Sequence, residues 1–296
     1  MKVAITGASG QVGSELVKLA KARGYQVFAS DSAELDITDA AKVSSSLAAA
    51  RPDLVINAAA YTAVDKAESE AELAAAINAQ GPMNLARTCK ALNIPLLHIS
   101  TDYVFDGDKS EPYTELDQTN PTSVYGQTKL DGELAVINNL PQHIVLRVSW
   151  VFGAVGNNFV KTMLRLAQTR DELSVVDDQF GAPTSAQCIA KALLDIGEKA
   201  FSAKSDSFPW GVYHLPSNPG VTWHGFACEI FRQAKIEGLI NKEVVVKPIT
   251  SAEFPTPVKR PANSKLTTAK LALLGDITEC DWKLDLTDVL RQLKVS

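Results

Sequence analysis

No stretch of eighteen apolar residues occurs anywhere in the chain. A membrane-spanning helix needs about 20, so no span is expected. After Lys2 the first apolar run is only three residues long before Thr6-Gly7, too short for the core of a signal peptide. Cysteine is scarce as well. Cys89, Cys188, Cys228 and Cys280 are far apart, and none forms a CxxC. That excludes a dense disulfide framework and a cysteine-based zinc site, and no histidine is expected to join a cysteine at metal-ligand spacing. The four are read as buried or half-buried thiols in a reducing cytoplasm. Basic charge is not in excess. Lys and Arg total 29 against 34 Asp and Glu, a net charge of -5 with no basic block. Such a chain is not built to hold nucleic acid as its main partner. A small anionic substrate remains compatible, because a local basic pocket can sit inside an acidic protein. Internal repeats and low-complexity tracts are also missing.

What is present is an ordinary globular composition, 46% hydrophobic and 21% charged over 296 residues. That length allows one large domain or two that share a boundary. Short apolar runs at Lys2–Thr6, Tyr25–Ala29, Leu54–Asn57, Leu96–Ser100 and His143–Ser149 read as strands. Helical patterns separate them, at Gln11–Arg23, through the alanine- and leucine-rich Glu70–Asn93, and from Ser123 to Asn138. Gly81-Pro82 predicts a break or kink in the second of these. The alternation specifies an α/β, Rossmann-like, doubly wound parallel sheet over residues 1–150. After Trp150 the texture changes. Strands are expected at Ser174–Val176 and Gly211–Leu215, and helices at Ala186–Ile196, Trp223–Glu237 and Thr287–Leu293. Residues 151–296 read as a smaller, mixed α/β substrate domain with returns to the first.

Gly7, Gly10 and Gly13 form GxxGxxG between the first strand and the first helix. A diphosphate must approach backbone N–H groups at a helix N-terminus, here those of Gly10, Gln11, Val12 and Gly13, where the dipole favours negative charge. Side chains at Gly7 or Gly10 would fill that space, and Gly13 allows helix and strand to touch. The spacing is one residue longer than the strict GxGxxG fingerprint. Asp31 lies 18 residues after Gly13, just past the second strand. An acid there suits the adenosine ribose and repels a 2′-phosphate, and no Lys or Arg occurs from 25 to 41. Asp36 and Asp39 are candidates for the adenine side or for capping the next helix. Asn57-Ala58-Ala59-Ala60 follows the third strand with small residues that let a cofactor cross the sheet edge. NADH and NADPH both remain open.

Tyr125 and Lys129 are four apart on helix-compatible sequence and so share a face. An ammonium beside a phenol favours phenolate and lowers its pKa, which suits proton transfer near neutral pH. The same lysine can bond ribose hydroxyls. Ser100 and Thr101 end the fourth strand, at the edge where ligands lie in such sheets. Either hydroxyl can orient a carbonyl oxygen, and spacing alone does not choose between them.

These stretches carry a resemblance that spans nearly the whole chain. They include Thr6–Gly13, Asn57–Asp65, Ser100–Gly107, Tyr125–Lys129, Arg147–Gly153, Gly181–Thr184 and Arg260–Ser264. The chain resembles the extended short-chain dehydrogenase/reductases, and within them the dTDP-4-dehydrorhamnose reductase family. The resemblance implies NAD(P)H-dependent reduction of the C4 keto group of a dTDP-linked 4-keto-6-deoxy sugar. It implies Thr101, Tyr125 and Lys129 as the catalytic trio. Asp102, Tyr103 and Trp150 are implied in the sugar pocket, and Arg260 near the nucleotide diphosphate. Two features depart from or extend the pattern. Relatives often carry arginine after the acid that ends the second strand, where this chain has Asp31-Ser32. Some bind Mg2+ at a dimer interface through glutamates, one matching Glu15, which otherwise reads as a surface acid. The resemblance leaves monomer and homodimer open. Competing readings are a nucleotide-sugar epimerase or dehydratase of the same superfamily, and a non-catalytic regulatory subunit of a methionine adenosyltransferase. Tyr103 after Asp102, where a dehydratase needs a glutamate, counts against a dehydratase. The intact trio counts against a regulatory subunit.

Overall fold

The structure is a computed structural model that describes residues 1–203, 207–277 and 280–295. The first half alternates strand and helix: β1 (Lys2–Thr6), α1 (Gln11–Ala22), β2 (Gln26–Ser30), α2 (Ala40–Ala50) and β3 (Leu54–Asn57). Short helices α3 (Val64–Ala67) and α4 (Ala71–Ala75) precede α5 (Gly81–Leu92), β4 (Leu96–Thr101), α6 (Val124–Asn139) and β5 (His143–Val148). The second half holds β6 (Val151–Phe152), α7 (Phe159–Ala167), β7 (Glu172–Val176), β8 (Phe180–Gly181), β9 (Thr184–Ser185) and α8 (Ala186–Ser202). It continues through β10 (Gly211–His214), β11 (Val221–Thr222), α9 (Trp223–Ile236), β12 (Val245–Ile249) and α10 (Trp282–Val295).

Six parallel strands pair in the order β10-β5-β4-β3-β1-β2. The apolar strands are covered on both faces, as a parallel sheet requires. Val3, Ile5, Leu54, Ile56, Leu97, Ile144 and Leu146 pack with Leu16 and Ala20 of α1 and Ile189 and Leu193 of α8. The alternate residues Ala4, Val55, Leu96 and Val145 meet Val43, Leu47, Leu85 and Val136 of α2, α5 and α6. The second half therefore returns twice, with α8 completing one helical layer and β10 adding the edge strand. A separate core gathers Phe152, Val160, Leu173, Phe226, Ile230, Trp282 and Leu286. All six strands point one way, so their carboxyl ends share one edge. The order reverses around β1, which is where such sheets open a crevice.

Several expectations change. The interruption in the long alanine-rich helix is a π-turn over Ala76–Gln80, and the backbone stays helical through Gly81. Pro82 directly follows that π-turn, where the change in hydrogen-bond spacing accommodates a residue without an N–H. The last helix starts at Trp282, earlier than Thr287, because Trp282, Leu286, Val289 and Leu290 form one buried stripe. Cys188 and Cys280 are joined in a disulfide, which a sequence separation of 92 concealed. Cys228 is exposed and only Cys89 is a buried thiol. His224 and Cys228, one turn apart on α9, touch at 3.6 Å. Glu15 is buried on α1, with Lys18 as its ion-pair partner at 3.5 Å, and is not a surface acid. Among the described residues no cluster of His, Cys, Asp or Glu is suited to hold a metal ion, and no helix is long and apolar enough to cross a membrane.

Candidate active site

The turn after β1 is built almost wholly from backbone. Gly7 has φ +69, and a Cβ there would lie 2.6 Å from the Ala59 nitrogen. A Cβ on Gly13 would lie 2.0 Å from the Gly7 carbonyl oxygen. Gly7 is thus required by its conformation and by the loop after β3, rather than by the space for a phosphate. Gly10 is the residue with room: its Cβ would meet only the Gly7 carbonyl, at 3.2 Å. Helices α2, α6, α7, α8 and α9 each begin on a side-chain cap, from Asp39, Ser123, Asn158, Ser185 and Thr222. Helix α1 begins on Gly10 with no side-chain cap, leaving its first N–H groups, on Gln11, Val12 and Gly13, facing the crevice edge. The Gln11 side chain turns away and accepts from Asn158 Nδ2 at 2.9 Å.

The acids after β2 shape their own loops. Asp31 Oδ1 accepts from the backbone N–H of Ala33 at 2.9 Å, and Asp36 Oδ1 from Thr38 at 2.9 Å. Asp39 caps α2 through the Lys42 N–H at 2.9 Å. The Asn57 amide is fully buried. It accepts from Thr6 Oγ1 at 2.7 Å and from the Ala59 N–H at 3.1 Å, and meets His98 Nδ1 at 2.9 Å. Its work is to bend the chain out of β3, so that Ala58 and Ala59 form the floor beside Gly7.

Two strands away, β4 ends in Thr101. The Thr101 hydroxyl donates to Asp102 Oδ1 at 2.8 Å and accepts from the Tyr103 N–H at 3.2 Å. The Tyr125 hydroxyl lies within reach of the same Thr101 oxygen. Ser100 faces the opposite side of the strand, so Thr101 is the hydroxyl at the site. Tyr125 stands on the first turn of α6, where Ser123 caps through the Gly126 N–H at 3.1 Å. Burial holds its phenol well above the usual tyrosine range; the Thr101 hydrogen bond opposes this, and the charges of Asp102 and Tyr103 add to it. Lys129 follows one turn later, only 2% exposed, with Nζ donating to the Ile99 carbonyl at 2.7 Å. Burial lowers its ammonium to about 8, against the opposing charge of Glu133. The expected lowering of the phenol by Lys129 is thus not seen in this geometry. The phenol is held protonated, which is the form that gives a proton away.

Asp102 is buried, and burial lifts its carboxyl to about 6 against the hydroxyls of Ser264 and Thr101. Tyr103 lies edge-on to Tyr125, ring centroids 5.5 Å apart. Its hydroxyl accepts from Arg260 Nη1 at 3.1 Å, while Arg260 Nη2 pairs with Asp65 at 2.6 Å. Arg260 therefore crosses from the C-terminal segment to the loop after β3. Trp150, at φ 47, stacks on Trp223 at 3.5 Å with Gly181 against its edge. The structure brings Thr101, Asp102, Tyr103, Tyr125 and Arg260 together, while Trp150 projects from the other core.

Residues without a sequence signal support this group. Asn78, in the π-turn, bonds the Tyr61 N–H and carbonyl at 2.8 and 3.0 Å and Thr128 Oγ1 at 3.2 Å, tying the β3 loop to α6. Ser264, Asp65 and Trp223 arrive from distant segments. Asp65 and Ser264 lie inside the stretches that carry the resemblance and Trp223 opens an expected helix, and none of the three has a sequence-derived role.

The family model for the RmlD substrate binding domain matches residues 1–295. The chain is 44% identical to a dTDP-4-dehydrorhamnose reductase of Aggregatibacter actinomycetemcomitans, over 97% of this chain and 98% of that one. A crystal structure of a dTDP-4-dehydrorhamnose reductase from Clostridium acetobutylicum has a TM-score of 0.90 and 42% identity, covering 99% of this chain and all of that one. Another, from Bacillus anthracis and in complex with NADP, has a TM-score of 0.90 and 35% identity, covering 98% and 99%. With an uncapped glycine turn and a Thr101–Tyr125–Lys129 cluster on one sheet edge, and with relatives this similar over full length, the chain belongs to the RmlD family of dTDP-4-dehydrorhamnose reductases.

Proposed function

We propose that the chain reduces the C4 keto group of dTDP-4-dehydro-6-deoxy-L-mannose (dTDP-4-dehydrorhamnose) to give dTDP-L-rhamnose, with NADPH or NADH as reductant, in the cytoplasm. One observation carries this reading. The glycine turn after β1, the alanine floor after β3 and the hydroxyl pair at the end of β4 lie on three adjacent strand ends of one edge. A dinucleotide laid along that edge reaches from the first to the last.

The residues fit such a cofactor. The backbone contacts of Gly7 and Gly13 shape the turn, and the open space in front of Gly10 is room for a diphosphate that a larger side chain would fill. The N–H groups of Gln11, Val12 and Gly13 would hold the diphosphate, and Asp31 the adenosine ribose. Lys129 and Tyr125 would hold the nicotinamide ribose. When bound, the reduced nicotinamide supplies the hydride. The chain's own part is the proton and the geometry. Thr101 and Tyr125 grip the C4 oxygen as negative charge grows on it, a form of help worth about 2.7–4 kcal/mol per donor elsewhere. Tyr125 gives its proton to that oxygen, and Lys129 favours the phenolate left behind. Asp102 holds the single Thr101 hydroxyl proton in the ligand-free site, and that proton turns to the C4 oxygen when the substrate binds. Arg260 provides a cation for the diphosphate, and Trp150 an indole face for the apolar edge of the deoxysugar. In this reading residues 1–150 with α8 and β10 form the cofactor lobe, and most of 151–296 forms the substrate lobe.

The test is an assay of the 4-keto-6-deoxy sugar nucleotide with NADPH and NADH in parallel. One cofactor oxidised per sugar reduced supports the proposal. Turnover without net oxidation points to an epimerase. A stable complex with a methionine adenosyltransferase, together with no reduction of any sugar nucleotide, points to a regulatory subunit.

A further inference from the structure

Lys129 is a buried cation with one hydrogen bond to a backbone carbonyl, at 2.7 Å. An ammonium has three protons to place and loses charge readily when desolvated. One turn along the same helix stands Glu133, which is 1% exposed and has no sequence-derived role. Both of its oxygens are taken by one partner. Arg147 of β5 donates from Nε to Oε1 at 2.9 Å and from Nη2 to Oε2 at 2.7 Å. Arg147 is itself fixed, with Nη1 at 3.3 Å from His214 Nε2 and its guanidinium 5.0 Å from the Phe105 ring. A guanidinium does not give up its proton, so Glu133 faces a fixed positive charge across two hydrogen bonds.

We propose that Glu133, locked by Arg147 one helical turn from Lys129, is a positioning residue whose buried carboxylate keeps the Lys129 ammonium charged. The proposal rests on the reading of Lys129 as the partner of Tyr125. The groups around the lysine leave this task to Glu133. His98 on β4 is held neutral by burial and by the Lys129 charge itself. His214 on β10 is held down to about 3 by burial and by Arg147. Tyr125 on α6 is held protonated, and burial holds the Tyr103 phenol up as well. Asp102 lies at the Thr101 end of the site, where it takes the hydroxyl proton of Thr101. Glu133 is the charge that opposes the desolvation of Lys129. The buried pair also joins α6 to β5 and β10, so the helix bearing Tyr125 and Lys129 is pinned to the sheet from the side away from the glycine turn.

The experiment is a lysine side-chain carbon NMR titration of the full-length protein without substrate, with the Lys129 signal assigned by Lys129→Arg. Glu133→Gln is expected to lower the Lys129 midpoint by about one pH unit. Glu133→Asp, which keeps the charge, is expected to leave it nearly in place. The alkaline limb of kcat moves down with the midpoint in Glu133→Gln, since the lysine loses its proton at lower pH. If Glu133→Gln does not fold, the double variant Glu133→Gln/Arg147→Met removes both charges of the pair and is expected to lower the midpoint in the same direction by less, because Glu133 is the member that acts on Lys129. A Lys129 midpoint equal to that of the wild type in the charge-removing variant overturns the proposal. A shifted midpoint in a protein that reduces no sugar nucleotide overturns the functional reading while supporting the coupling between Glu133 and Lys129.

Discussion

The glycine turn after β1 and the side-chain cluster at the end of β4 occupy the same edge of one sheet, yet they are built by opposite means. The turn is made of backbone within seven consecutive residues, Gly7 to Gly13. Its demands are steric, and the contacts that impose them are local or lie on the next strand. The cluster is made of side chains from β4, α6, the β3 loop and the C-terminal segment, with buried charge at its base. The first region offers shape without chemistry. The second offers chemistry whose protonation states depend on neighbours far away in the chain. A binding device can therefore be local where a proton-transfer device cannot, because shifting a pKa needs several groups to converge.

That contrast can be broken or sharpened in graded steps. The largest effect belongs to the backbone region. Gly13→Val drives a side chain into the Gly7 carbonyl, which a Cβ alone would approach to 2.0 Å. Cofactor binding by calorimetry is expected to vanish; retained affinity would show that the turn is not where the dinucleotide lies. Next is Thr101→Ala, which removes the hydrogen bond to Asp102 and, on the proposed reading, a donor to the reacting oxygen. A loss of kcat/KM of about a hundredfold to a thousandfold is expected, with cofactor affinity little changed. Equal activity would transfer the oxygen-binding task elsewhere.

Asp102→Asn tests the buried charge through stability. The folded carboxyl, at about 6, lies above its ordinary value of 3.8, so the folded state holds the extra proton between those values. Stability falls as pH rises through that window, and the cost is fully present above about pH 6. The variant is therefore expected to gain on the wild type at pH 8 by up to about 3 kcal/mol, and to gain little at pH 4. Thermal melts at the two pH values measure the difference, and a gain independent of pH would assign it to packing instead. The smallest effect is Trp223→Ala, which removes the face on which Trp150 stacks. An increase in the sugar-nucleotide KM of roughly three- to tenfold, with kcat unchanged, matches the worth of one aromatic pair. A fall in kcat alone would place Trp150 nearer the chemistry than this structure does.

The same contrast explains what was legible beforehand. The five leading strands were read to within a residue or so, because a parallel strand buried on both faces is a continuous apolar run. Gly7, Gly10, Gly13, Tyr125 and Lys129 stand out in the sequence because turn geometry and helical spacing are written in nearby residues. Thr101 and Ser100 were inseparable by spacing, and only strand alternation, read together with the direction of Tyr125, distinguishes them. The sixth strand β10 could not be assigned to the main sheet, since nothing within Gly211–His214 says which strand it will pair with. Helix α2 offered no more than the capping hint of Asp39, because its buried stripe is the short set Val43, Leu47 and Ala50. Glu133 passed as one acid on a helix until Arg147, fourteen residues away, was found on both its oxygens. The Cys188–Cys280 bond and the Arg260–Asp65 pair likewise depend on contacts that only the folded chain makes.

The most direct test of proton transfer from the α6 phenol is a single-turnover reduction followed by NADPH oxidation, comparing the wild type with Tyr125→Phe. The account predicts dTDP-L-rhamnose formed in step with NADPH oxidised by the wild type, and a rate at least about a hundredfold lower in the variant, at cofactor affinity within a few fold. Comparable rates in the two proteins would contradict it.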